Sequence, residues 1–134
     1  MDEMSVFPMG NKNTAFADYF IGKSYLNMLS TEQVLIGNVT FEPCCRNNWH
    51  IHHADKGGGQ ILLVTAGCGW YQEYGQPARR LEPGDVVHIP TGVKHWHGAA
   101  KDSAFQHLAI EVPGENCRTE WCESVSDDEY NKLK

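Results

Sequence analysis

Five of the seven histidines in this 134-residue chain fall into a pattern that could hold a metal ion. Two form His50-Ile51-His52 and two form His95-Trp96-His97. In an extended strand, residues two apart share a face. Each pair can therefore aim two imidazole nitrogens at one cation. A lone pair of this kind also reads as two unrelated surface histidines, but two pairs in one small chain are harder to assign to chance. Gln60 opens an otherwise apolar run, Ile61-Leu62-Leu63-Val64, and its carbonyl oxygen can complete an N/O ligand set. Taken alone it is an ordinary strand-edge glutamine. The fifth histidine, His107, alternates with Phe105 and Ala109, which predicts an inward side chain. Taken alone it is a core histidine with its hydrogen bonds satisfied. Imidazole and amide ligands are neutral and leave the full charge on a divalent ion, so the site favours an anion in its open positions: hydroxide, alkoxide, enolate or cyanide. A neighbouring imidazole titrating near neutrality would take or give the proton.

Such residues need strands to position them. The pattern predicts strands over Gln33–Phe41, Gln60–Thr65, Trp70–Tyr74, Val86–Ile89 and Phe105–Val112. Gly67-Cys68-Gly69, Gly75-Gln76-Pro77, Glu82-Pro83-Gly84-Asp85 and Pro90-Thr91-Gly92 punctuate them. Short strands with turn signals about every ten residues indicate a sandwich or barrel. The polar segment 1–14 is expected to be loose or draped over the barrel. Between Ala15 and Leu29, apolar and aromatic residues recur without separating a short helix from strand pieces. His53–Gly59 ends in three glycines and reads as a long hairpin or as a flexible lid. Ser126-Asp127-Asp128-Glu129 has the form of a capping box, which predicts a short helix over 126–133. Trp49 and Trp96 flank the inward histidines and so point to the opposite face. There they suit a dimer interface, or they pack under the N-terminal segment.

The bulk properties narrow the class. The length fits one domain, residues 1–134 with a barrel core over 33–112, and 41% hydrophobic residues suffice for a core. The net charge of -6 and the lack of a Lys/Arg cluster argue against nucleic acid and anionic membranes. No apolar run approaches the ~18 residues of a membrane span, and the acidic start Met1-Asp2-Glu3 has no apolar core of a signal peptide. Five cysteines, an odd number with no CxxC pair, are expected as reduced thiols in the cytoplasm.

The spacing of these residues resembles the cupin family. Cupins carry a first motif of Gly, five residues, His-x-His, then Glu, six residues and Gly. Their second motif is Gly, five residues, Pro-x-Gly, two residues, His, three residues and Asn. Here Gly84, Pro90-Thr91-Gly92 and His95 reproduce the second motif, and Gln60 with Gly67 reproduces the end of the first. Cys44 stands for the first Gly, Gln60 for the Glu and Ala99 for the Asn, and the gap from His52 to Gln60 is longer than the usual one. The resemblance implies an all-β cupin jelly-roll barrel with a short C-terminal helix and a metal inside. Thr65-Ala66-Gly67-Cys68-Gly69-Trp70, Lys94-His95-Trp96-His97-Gly98-Ala99-Ala100 and His107-Leu108-Ala109-Ile110 look like the small bacterial cupins that include manganese-dependent hydroxynitrile lyases. That resemblance implies one divalent metal on His50, His52, Gln60 and His95, with Mn or Fe favoured and Zn, Ni or Co able to substitute. It places His97 and His107 beside the metal as proton-transfer groups. The expected activity is lyase-type cleavage or formation of a C–C bond in a small organic substrate. The alternatives are a metal-dependent dioxygenase and a non-catalytic small-ligand-binding cupin. A homo-oligomer, dimer or tetramer, is expected.

Overall fold

A computed structural model of the chain describes residues 4–133. In chain order these residues form β1 (Asn11–Lys12), a 3-10 turn (Ala17–Tyr19), β2 (Phe20–Ile21), β3 (Ser24–Ser30), β4 (Ile36–Phe41), β5 (Arg46–Asn47), β6 (His50–His53) and β7 (Lys56–Gly57). There follow β8 (Gln60–Gly67), β9 (Gly69–Glu73), β10 (Arg79–Leu81), β11 (Val86–Ile89), β12 (His95–Ala99), β13 (Phe105–Glu111), β14 (Gly114–Glu115), β15 (Arg118–Trp121) and α1 (Asp127–Asn131). One sheet runs β1-β3-β4-β13-β8-β11, and the other runs β10-β9-β12-β5-β2 with β6 joined to β12 and β15 joined to β6. All pairings are antiparallel. The architecture is the jelly roll expected from the sequence.

Strand alternation builds the interior. Along β8, buried and half-buried residues alternate, so Gln60 shares its inward face with Leu62 and Val64. Across the ladder, Glu111, Ala109 and His107 of β13 stand opposite Gln60, Leu62 and Val64. Val39, Phe41, Leu62, Val64, Val87 and Ile89 of the first sheet close on Tyr71, Leu81 and Ala99 of the second. Removing these side chains from water contributes roughly 1.5–3 kcal/mol for each large one.

The outer tryptophans differ from their expected surroundings. Trp49 is 2% exposed and Trp96 0%; they pack with Trp70, Val125 and Tyr130. Neither forms an exposed patch, and among the described residues the cluster they belong to draws on the C-terminal segment. The residues after 121 fold back over them, because Arg46, itself buried, donates to the Val125 carbonyl and to Asp127 Oδ1 at 2.7 Å while its guanidinium lies over the Tyr130 ring. The capping box is present, with Glu129 N donating to Ser126 Oγ at 3.1 Å, and the helix it starts spans five residues rather than the whole of 126–133.

Segment 15–29 resolves into the 3-10 turn and two strands. Of the N-terminal segment 1–14, residues 1–3 lie outside the described residues and the remainder is tied down: Asn38 Nδ2 and Asn27 Nδ2 donate to the Pro8 carbonyl, and β1 pairs with β3. The glycine loop is neither a hairpin nor a free lid. Lys56–Gly57 pairs with Gly114–Glu115 beyond the last barrel strand. Gly57, Gly58 and Gly59 all have positive φ, and a Cβ on Gly59 would meet the Ile89 carbonyl oxygen at 2.6 Å, so the three glycines let this turn seat against backbone.

Candidate metal centre

His50 and His52 lie in phase on β6, and His95 opens β12 directly opposite His50. The three present ring nitrogens within 4.8 Å of one another. Local hydrogen bonds decide which nitrogens these are. His50 Nδ1 donates to the Asn48 carbonyl at 2.8 Å, and His95 Nδ1 donates to the Val93 carbonyl at 2.9 Å. A carbonyl only accepts, so the hydrogen sits on Nδ1 and the Nε2 lone pair is free. Thr119 Oγ1 of β15 lies 3.4 Å from His52 Nδ1 and turns that ring the same way. The Trp121 ring lies against His50 at 4.7 Å between centroids and stacks on Tyr19 at 4.5 Å. Gln60 Nε2 donates to Glu111 Oε1 at 2.6 Å, which leaves the amide oxygen for the interior.

His52 Nε2, His95 Nε2 and Gln60 Oε1 are buried and have no hydrogen-bond partner. Each such group costs about 1–3 kcal/mol, and three together rival the ~5–15 kcal/mol that holds a domain folded. A cation accepting all of them removes that cost, so the donor set fits a divalent ion with N/O ligands. His50, His52 and His95 are brought together, and Gln60 lines the same cavity as His50 and His52. Burial is the main cause that pushes His95 down to about 4 and holds His50 well below its ordinary value, and neighbouring imidazoles add to it; burial also lowers His52, with Glu111 and Gln60 acting against it. All three are neutral at pH 7 and available as ligands.

His97 and His107 form a second group beside the first. His107 Nε2 and His97 Nδ1 are 3.0 Å apart, and Asn47 brackets His97 by accepting its backbone N–H at 2.9 Å and presenting its amide nitrogen 3.2 Å from Nε2. Contrary to the expectation of titration near neutrality, burial pushes His107 down to about 4 and His97 well below its ordinary value. Both stand as neutral imidazoles. His107 Nδ1 has no partner.

His50, His52 and Gln60 of the first group and both members of the second line one cavity of about 550 Å³. Phe16, Phe20, Leu26, Met28, Val39 and Trp121 give it an apolar wall, while Arg118 and Glu111 also line it. This is the build of a small-molecule site: apolar, with a few converging polar groups. Sequence reasoning missed Glu111, Thr119, Trp121 and Asn47. Glu111 was within reach of it, since it continues the inward phase of Phe105, His107 and Ala109. The other three carry no signal, because strands distant in sequence bring them in.

Comparison with known proteins fits this geometry. A family model described as a Cupin domain matches residues 37–111, more than half of the chain. The chain is a cupin. It is 42% identical over 120 residues to an (R)-mandelonitrile lyase of Granulicella tundricola, covering 87% of this chain and 88% of that one. A cupin-like protein from Thermotoga maritima superposes with a TM-score of 0.82 at 42% identity and 96% coverage of both chains. A double-stranded β-helix protein from Klebsiella pneumoniae, 18% identical, shares the fold with a TM-score of 0.65 over 91% of this chain and all of that one. Two departures of this cupin from the common motifs have visible settings. Cys44, in the first glycine position, has φ 73, the left-handed conformation a glycine would adopt there. Ala99, in the asparagine position, is fully buried, and its carbonyl accepts from Tyr130 Oη at 2.5 Å.

Proposed function

We propose that this cupin is a metal-dependent lyase that cleaves, or in reverse forms, the C–C bond of a small cyanohydrin. The observation that carries the reading is the set of unpartnered buried acceptors, His52 Nε2, His95 Nε2 and Gln60 Oε1, converging beside an apolar cavity that also contains His97 and His107. The 42% identity to a mandelonitrile lyase supports the substrate class. His50, His52, Gln60 and His95 would hold the ion, Mn or Fe by preference, with Zn, Ni or Co as substitutes. When bound, such an ion supplies Lewis-acid polarisation of a substrate oxygen.

The remaining work belongs to the chain. The wall of Phe16, Phe20, Leu26 and Val39 takes the organic group and excludes water. The hydroxyl proton passes to a lone pair of the His97–His107 pair, whose two rings are already hydrogen-bonded at 3.0 Å. The C–C electron pair leaves with cyanide as the carbonyl forms. The proton returns from imidazole to cyanide, which leaves as hydrogen cyanide and restores both neutral rings. Burial favours this return, because it disfavours an imidazolium left behind. Five free thiols accord with a reducing compartment, and we place the enzyme in the cytoplasm. Among the described residues, no helix is long and apolar enough to cross a membrane.

The test is anaerobic turnover of mandelonitrile by protein loaded with Mn(II) or Fe(II), followed by aldehyde absorbance, with His50→Ala/His52→Ala as control. Aldehyde release that is lost in the control is the expected result. Oxygen uptake with a catechol or dione and no cyanohydrin cleavage would instead make the protein a dioxygenase. Saturable binding without turnover would make it a binding protein.

A further inference from the structure

We propose that Glu111 is a positioning residue of the metal centre: it holds the Gln60 amide with its oxygen facing the three histidines. It also supplies, one layer behind Gln60, a carboxylate in a chain whose motif has Gln60 in the position of the common Glu. The inference rests on the reading of Gln60 as a ligand. Three observations carry it. Glu111 and Gln60 stand directly opposite each other in the β13–β8 ladder, so the pairing is built into the register. Their side chains meet at 2.6 Å. A carboxylate only accepts, so the amide must turn its NH2 towards Glu111 and its oxygen away. That oxygen is buried and has no other partner.

An unattached Gln60 could present either end of its amide to the histidines, and the NH2 end repels a cation. Glu111 removes that choice. It also changes the charge balance of the centre. Three imidazoles and one amide leave a divalent ion uncompensated, whereas a carboxylate in contact with one ligand attracts the ion through that ligand and makes its oxygen a better donor. An ordinary strand-end glutamate would extend into water. This one is half-buried, lines the cavity and spends an oxygen on Gln60.

The experiment measures Mn(II) dissociation constants by competition with a chromophoric chelator, and the visible d–d spectrum of the Co(II) form. The proteins are wild type, Glu111→Gln, Glu111→Leu, Gln60→Ala and the Gln60→Ala/Glu111→Leu double variant. Glu111→Leu should weaken Mn(II) binding about 10- to 100-fold and alter the Co(II) bands. Glu111→Gln, close in shape and still able to accept from Gln60, should recover part of the loss. In the Gln60→Ala background, removing Glu111 should add little, because its effect passes through the amide. Wild-type affinity and spectrum in Glu111→Leu would overturn the proposal and leave the metal centre standing. So would an equal loss in both backgrounds. A wild-type chain that binds neither ion would overturn the centre and the proposal together.

Discussion

The two His-x-His pairs have the same spelling and different fates. The first histidine of each, His50 and His95, donates Nδ1–H to the carbonyl two residues earlier and faces its counterpart across the β6–β12 pairing. The second histidines diverge. His52 is turned by Thr119 towards the other two ligands, whereas His97 is engaged by Asn47 and His107. The local sequence thus makes a histidine available, and a partner 50 or more residues away decides whether its ring joins the three-histidine group or stands beside it.

The sharpest way to break this contrast is to remove one member of each pair. His95→Ala should abolish stoichiometric metal binding, an affinity loss beyond ~100-fold, since it removes a ligand rather than a supporting contact. His97→Ala should keep the metal and lower turnover by about 10²- to 10⁴-fold, the usual range for a lost proton-transfer group. Elemental analysis alongside steady-state kinetics separates the two. If both variants come out equally depleted of metal, the two pairs are functionally the same.

Acidification probes the same division. Burial holds His95 and His107 at about 4, below the ordinary 6.5. Above 6.5 neither folded nor unfolded chain is protonated at these sites, and stability does not change. As pH falls from 6.5 towards 4, the unfolded chain takes up protons that the folded one refuses. Metal-free protein should therefore lose stability across that window, by up to about 3 kcal/mol per histidine. Urea unfolding at pH 7, 5.5 and 4 measures it. Added Mn(II) should raise stability at pH 7 and carry the His95 share of the loss on below pH 4, because a ligating nitrogen refuses the proton further, while the His107 share is unchanged.

The smallest effect concerns the turns that precede the motifs. Gly84 and Cys44 both adopt positive φ, 95 and 73, yet only Gly84 lacks the Cβ that makes this costly. Cys44→Gly should stabilise the protein by roughly 0.5–1 kcal/mol, the relieved strain less the added freedom of the unfolded chain. Thermal unfolding would check this, and a lower melting temperature would mean that the Cys44 side chain contributes more than its backbone costs.

What was legible in the sequence follows strand periodicity. A spacing of two places His50 with His52 on one face whatever their neighbours are, so both pairs could be read directly. Gln60 alone carried too little signal; the motif spacing singled it out. The residues that orient the ligands were hidden because register sets them. Thr119 meets His52, and Trp121 meets His50, only once β15 pairs with β6. The tryptophans failed for a related reason. Alternation correctly turned Trp49 and Trp96 away from the histidines, but it could not reveal that Arg46 anchors a returning C-terminal segment over them.

That returning segment imposes an order on assembly. The strand holding His50 and His52 has one side against β12 and the other against residues 118–121, which are synthesised some seventy residues later. Until they arrive, the histidine strand is an open edge and the His52 ring lacks its threonine. Once the barrel strands have paired, residues 112–117 tether β15 to β13, so its docking on β6 is a short, local closure. The side of the histidine strand that faces β15 is therefore the last part of the centre to be covered.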